Sequence, residues 1–253
     1  MKELVHYQRK NNDYGVIMLD RQEKHNAISK RMAEDFKRAL YTAREDHVKL
    51  LVITGAGNKM FCAGGDLIDF HADLSPESSY ELLNYIKEIL YAIVTFPVPT
   101  VCLLNGNALG GGCEIATACD FRIAKASTTF GFIQSKLGII PGWGGGALLY
   151  EKVHSSFAYQ WLMEAETFSA EYLQRQGWLH QLIPEERWKN QEALLHMYIT
   201  KSYNQMKALK EQYMEELNLP RLSEKMNKEV QNCANLWDSE EHIHAVQQFL
   251  KQK

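Results

Sequence analysis

Two glycine-rich turns, each entered from an apolar run, constrain this chain most. The first, Phe61-Cys62-Ala63-Gly64-Gly65-Asp66-Leu67, follows Leu50-Leu51-Val52-Ile53-Thr54-Gly55. The second, Asn105-Gly106-Asn107-Ala108-Leu109-Gly110-Gly111-Gly112-Cys113-Glu114, follows Val101-Cys102-Leu103-Leu104. Each has the form of a strand that turns sharply and opens a helix. Such a turn leaves backbone N–H groups unpaired at the positive end of a helix dipole. Two of them in one domain can supply converging donors, which is what an oxyanion hole requires.

The flanking segments repeat this alternation. Gly15 to Asp20 reads as a buried strand, and Ser29 as the N-cap of a helix running to about Arg44, with Met32, Phe36, Ala39, Leu40 and Ala43 at helical spacing. His71 to Ser79 is polar and reads as a loop, followed by a helix from Tyr80 to Val94 that Pro97 and Pro99 end. Strand 100–104, a short helix Cys113 to Ala118, and short strands at 121–124 and 128–131 come next. Helices are expected at 147–152, 157–163 and 170–177. From about Gln191 the pattern is helical and densely charged, with a break at Pro220. Strands alternating with helices predict an α/β fold with parallel strands. The tail reads as a helical appendage packed on the main domain or on a neighbouring subunit.

Composition narrows the function. The chain has 253 residues, 45 % of them hydrophobic, which supports a full core and argues against global disorder. A net charge of −3 with interspersed signs gives no electrostatic footprint for nucleic acid. Met1 to His6 contains no apolar signal core, and no apolar run is long enough to span a bilayer. The cysteines, Cys62, Cys102, Cys113, Cys119 and Cys233, form no Cys-x-x-Cys pair, which fits reduced thiols in a cytoplasmic protein. His242-x-His244 lacks a suitably spaced third ligand, so no metal is expected. Gly55-Ala56-Gly57 precedes no Gly-Lys-Ser/Thr, so a P-loop is not supported. Lys30-Arg31 and Lys37-Arg38 around Glu34-Asp35 read as a salt-bridged, solvated helix face.

Arg21 to Ala27, Met60 to Leu67, Asn105 to Asp120 and Leu137 to Gly145, in that order, resemble the enoyl-CoA hydratase/isomerase family, the crotonase superfamily. The resemblance is clearest from about Gly15 to Ile183. It implies an α/β, crotonase-like spiral of repeated ββα units over 1–195, with a C-terminal helical trimerisation region over 196–253. It implies an acyl-CoA thioester as substrate, with coenzyme A part of that substrate and no permanently bound cofactor, in fatty-acid or acyl-CoA metabolism. It implies a homotrimer or a homohexamer built as a dimer of trimers, with no nucleic-acid or membrane partner.

Residue by residue, the family motif makes the N–H groups of Ala63 and Gly111 the oxyanion donors, with Gly64, Gly65, Gly110 and Gly112 allowing close backbone approach. Glu114 falls on the first catalytic carboxylate of hydratase members, where it would position water or move a proton. The second position is Gln134, and an amide neither accepts nor delivers a proton near neutral pH. The main chain of Lys24, His25 and Ala27 would receive the nucleotide end of CoA. Ala63, Gly65, Asp66 and Leu67 would flank adenine and pantetheine, and Gly110, Gly111, Pro141 and Gly142 the acyl part. His71 and Tyr80 lie in the stretch that shapes the acyl pocket in relatives. Trp237, Phe249, Lys251 and Lys253 lie where relatives reach a neighbour's CoA. The expected activity is that of a lyase or isomerase acting through a thioester enolate. Ala118 to Arg122, and Gly138 to Gly145 with Trp143, look like a branch that decarboxylates branched malonyl-CoA derivatives. That branch and a non-catalytic CoA-binding relative are the alternatives.

Overall fold

Every residue of the apolar runs Leu50–Gly55 and Thr100–Leu104 is buried, the pattern of parallel strands covered on both faces. The structure is a computed structural model describing residues 3–70 and 75–251. His71 and Lys253, two residues that the resemblance implicates, lie outside the described residues. In chain order the elements are β1 (Val5–Arg9), β2 (Tyr14–Leu19), α1 (Lys30–Glu45), β3 (Leu50–Gly55), β4 (Met60–Cys62), α2 (Leu67–Phe70), α3 (Pro76–Val94), β5 (Thr100–Leu104), β6 (Asn107–Leu109), α4 (Gly111–Ala118), β7 (Phe121–Lys125), β8 (Thr129–Gly131), α5 (Gly145–Lys152), α6 (Ser155–Glu164), β9 (Phe168–Ser169), α7 (Ala170–Arg175), β10 (Gln181–Ile183), α8 (Gln191–Ile199), α9 (Tyr203–Glu216), α10 (Leu219–Ala234) and α11 (Glu240–Lys251).

The strands form a six-stranded sheet, β1-β2-β3-β5-β7-β10, and a four-stranded one, β4-β6-β8-β9. Pairing is parallel except for β1 with β2 and β8 with β9. The chain passes from the large sheet to the small one and then into helix: β3 to β4 to α2 and α3, β5 to β6 to α4, β7 to β8 and on to α5. This is the ββα spiral expected from the sequence. Both glycine turns leave strands of the small sheet, so the spiral brings them side by side.

Several local expectations need correction. α3 begins at Pro76 rather than Tyr80, because Ser75 caps it by accepting Ser78 N–H at 3.3 Å and Pro76 stands at the helix start. β1 and β10 are strands where the sequence pattern shows none. Asp35 is buried and accepts Leu4 N–H at 2.8 Å, which fastens β1 to α1 and removes it from the solvated face expected for Glu34-Asp35.

The appendage joins the main core. Leu222, Met226, Val230 and Cys233 recur at helical spacing along α10 and are buried with the central cluster. α10 packs on α3 and α5, and α11 on the short 134–137 turn. Lys210 Nζ in α9 reaches Asp120 Oδ1 at 2.6 Å and Oδ2 at 2.7 Å, both side chains buried. All the cysteines are free and buried. Among the described residues, no helix is long and apolar enough to cross a membrane.

Candidate active site

The first glycine turn is fastened to the segment before α1. Ile28 N–H donates to Gly64 C=O at 2.8 Å, and Asp66 N–H donates to Ile28 C=O at 2.9 Å. Arg21 Nη1 pairs with Asp66 Oδ2 at 2.7 Å and donates to Ala27 C=O at 3.1 Å. Partial burial raises the Asp66 pKa, but the Arg21 hydrogen bond and charge outweigh it and hold the carboxyl below its ordinary value. Ala63 N–H donates to His25 C=O at 3.1 Å. That bond removes Ala63 from the donor role the family motif assigned to it. On this turn the Gly65 amide makes no hydrogen bond among the described residues.

The second turn opens α4. Gly110, at φ +51°, donates its N–H to Gly131 C=O at 2.8 Å, while Gly111 at the first helical position has no acceptor among the described residues. The two turns touch. A Cβ on Gly64 would lie 3.2 Å from Gly111 N, and one on Gly112 would lie 2.2 Å from Cys62 O. Both free-amide glycines also face one indole. A Cβ on Gly111 would lie 2.0 Å from Trp143 Cζ3, and one on Gly65 would lie 3.5 Å from Trp143 Cζ2. Gly65 and Gly111 therefore lie on touching turns and line one site.

That site is a cavity of about 780 Å³. Exposed Lys24 and His25 lie at its rim, and Ala27, Ala63, Gly65, Asp66, Leu67, Gly110, Gly111, Glu114, Gln134 and Gly142 also line it. Pro141 instead lines a neighbouring cavity of about 700 Å³ on the other side of the 142–147 segment. Tyr80 packs half-buried against the core and does not reach the lining. Trp237, Ala245, Gln248 and Phe249 of the appendage line this chain's own cavity. Lys251 is exposed and outside the lining.

Glu114 is 2 % exposed, with Oε2 accepting Trp143 N–H and Gly145 N–H, each at 2.9 Å. Its Oε1 accepts Gln134 Nε2–H at 2.9 Å. Burial raises its pKa to about 7, against the pull of those donors and of the Gly142 amide. A carboxyl poised there changes protonation near neutral pH, as a proton-carrying group must. Gln134 has its own asymmetry. Its Nε2 is engaged by Glu114, and its buried Oε1 has no partner among the described residues. The amide orientation follows from this network, since the reverse would set oxygen against carboxylate. Among the described residues no cluster of His, Cys, Asp and Glu could hold a metal ion, and His242 Nδ1 is at 2.5 Å from Leu137 O.

Known proteins place this architecture. The profile described as enoyl-CoA hydratase/isomerase matches residues 9–253. A crotonyl-CoA hydratase from Syntrophomonas wolfei subsp. wolfei is 37 % identical over 173 residues, covering 68 % of this chain and 66 % of that protein. An ethylmalonyl-CoA decarboxylase from Rattus norvegicus is 34 % identical over 152 residues, 60 % of this chain and 50 % of that protein. The chain thus matches between half and two thirds of the length of these curated relatives. A Bos taurus ethylmalonyl-CoA decarboxylase matches at 28 % over 247 residues, 96 % of this chain and 80 % of its own length. An enoyl-CoA hydratase structure from Bacillus halodurans superposes with a TM-score of 0.88 at 23 % identity, over 97 % of this chain and 99 % of that one, which shows the shared fold. With the profile running over nearly its whole length, the chain belongs to the enoyl-CoA hydratase/isomerase family.

Proposed function

We propose that this chain is an acyl-CoA-processing enzyme that stabilises a thioester enolate between the Gly65 and Gly111 amides, with Glu114 carrying the proton. Three observations support it: Gly65 and Gly111 sit on touching turns, neither amide has an acceptor among the described residues, and buried Glu114 lines the same cavity. Donors fixed where negative charge develops lower the barrier to any reaction passing through an enolate. Lys24, His25 and Ala27 at the rim receive the nucleotide end of coenzyme A, and Lys24 reaches phosphate as a point charge. Asp66 and Leu67 flank the pantetheine arm, and the acyl group lies toward Gly111 and Trp143. The helical region 196–253 completes the cavity and carries the subunit contacts of a trimer or a pair of trimers. A cytoplasmic setting fits the free thiols.

Gln134 favours one branch of this chemistry. Syn hydration draws on two groups that exchange protons with one water, and here the second position is an amide. Decarboxylation of a branched malonyl-CoA needs less. The C–C bond breaks, its electron pair enters the thioester enolate, CO₂ leaves, and protonated Glu114 delivers its proton to the α-carbon. Incubation with crotonyl-CoA and with ethylmalonyl- or methylmalonyl-CoA separates these outcomes. The reading predicts CO₂ release from a malonyl thioester, abolished in Glu114→Gln. Fast hydration of crotonyl-CoA would reject the branch assignment. Tight thioester binding without any product would reject catalysis altogether and leave a CoA-binding protein.

A further inference from the structure

The glycine-rich segment 142–147 is held by carboxylates on both sides. On the cavity side, Glu114 Oε2 accepts Trp143 N–H and Gly145 N–H, each at 2.9 Å. On the far side, Glu229 of α10 accepts Gly146 N–H at Oε1, 3.2 Å away, and Ala147 N–H at Oε2, 2.6 Å away. A Cβ on Gly146 would lie 2.7 Å from Glu229 Oε2, so the segment and the carboxylate are in direct contact. The start of α5 therefore divides its unpaired amides between two carboxylates from different helices. Each gains from the positive end of the helix, and each repels the other.

We propose that Glu229 is a positioning residue for Glu114: it fixes the segment that grips Glu114 and makes the two carboxylates take up protons as a coupled pair. A carboxylate that merely capped α5 would stabilise the helix and leave the proton affinity of Glu114 alone. The coupling follows from the shared segment. Burial pushes Glu229 up first and the Glu114 charge adds to it, while the amides of Ala147, Gly146 and Gly144 pull it down. Paired groups of this kind titrate in steps that belong to the pair. The other charged or titratable groups around Glu229 are Lys225 and Lys228 on its own helix, Tyr150 and Glu151 on α5, Tyr159 on α6 and Cys233 a turn along α10. Lys225 is paired with Glu151. Lys87 of α3 is bound to Glu88 and to Asn227 on α10. The coupling makes the C-terminal appendage part of the catalytic apparatus rather than a cover for it.

The test is a carbon-13 NMR titration of glutamate-labelled protein, with the Glu114 signal assigned through Glu114→Gln. The wild type should show two coupled steps. Glu229→Gln, nearly isosteric and still able to accept one amide, should leave a single Glu114 step at lower pH. Glu229→Asp, which keeps the charge, should retain two steps. The kinetic arm rests on the proposed function: Glu229→Gln should lower kcat about 10-fold with KM little changed, less than the ~10²-fold of an ångström-scale misplacement. An unchanged Glu114 titration in Glu229→Gln, with only a lower melting temperature, overturns the proposal in favour of a cap. An upward shift overturns it as well. Absence of turnover on any thioester would count against the proposed function alone, because the titration reads Glu114 without catalysis.

Discussion

At the scale of single residues, Glu114, the proposed proton carrier, has the clearest pH signature. Folded, it holds a proton to about pH 7, against an ordinary value of 4.5. Between those values the folded chain binds more protons than the unfolded one, so stability falls as pH rises through that window. The shift corresponds to ~3 kcal/mol. Denaturant unfolding at a series of pH values should show wild type losing stability relative to Glu114→Gln between pH 4.5 and 7, with a constant difference above it. Gly112 offers a second single-residue test. A methyl there would meet Cys62 O at 2.2 Å and push the two turns apart. Gly112→Ala should lower kcat/KM by about 10²-fold while leaving the far-ultraviolet circular dichroism intact, because it disturbs donor placement more than the fold.

At the scale of elements, the legible parts were those with local signatures. The wholly apolar runs of β3 and β5, the Ser29 cap of α1 and both glycine turns follow from composition and spacing alone. β10, only Gln181–Ile183, is too short to show a period and exists because β7 lies beside it. The donor assignment failed at Ala63 for a related reason. A motif names the turn, but which amide stays free depends on a partner distant in sequence, here His25 C=O. Asn26 sets that partner's position. At φ +55° and 1 % exposed, its side-chain oxygen accepts Arg21 N–H at 2.9 Å, and its Nδ2 donates to Ala56 C=O at 3.0 Å and Met60 C=O at 2.9 Å. Asn26→Ala leaves those buried groups unpaired and strains the left-handed backbone, so a loss of about 2–4 kcal/mol is expected from denaturant midpoints. Affinity for CoA thioesters should fall with it, because the first glycine turn loses its fastening.

At the scale of the whole molecule, the appendage was legible as helices but not as a wall of the site. Charge density hides the stripe Leu222, Met226, Val230 and Cys233, whose partners on α3 and α5 lie far away in sequence. The buried Lys210–Asp120 pair ties α9 to the sheet. Asp120 Oδ2 also accepts Thr100 N–H at 2.8 Å at the start of β5. Lys210→Met should cost ~3–5 kcal/mol by leaving a buried carboxylate uncompensated. Adding Asp120→Asn should recover part of that loss, which a double-mutant cycle would measure. The ββα spiral sets two strand ends side by side, and the proposed chemistry depends on the amides those ends present. A crystal structure with acetoacetyl-CoA bound tests this most directly. The thioester oxygen is predicted to lie about 2.7–3.1 Å from both Gly65 N and Gly111 N, with Glu114 facing the reacting carbons. A thioester oxygen bound at Ala63 N, or away from both amides, would contradict it.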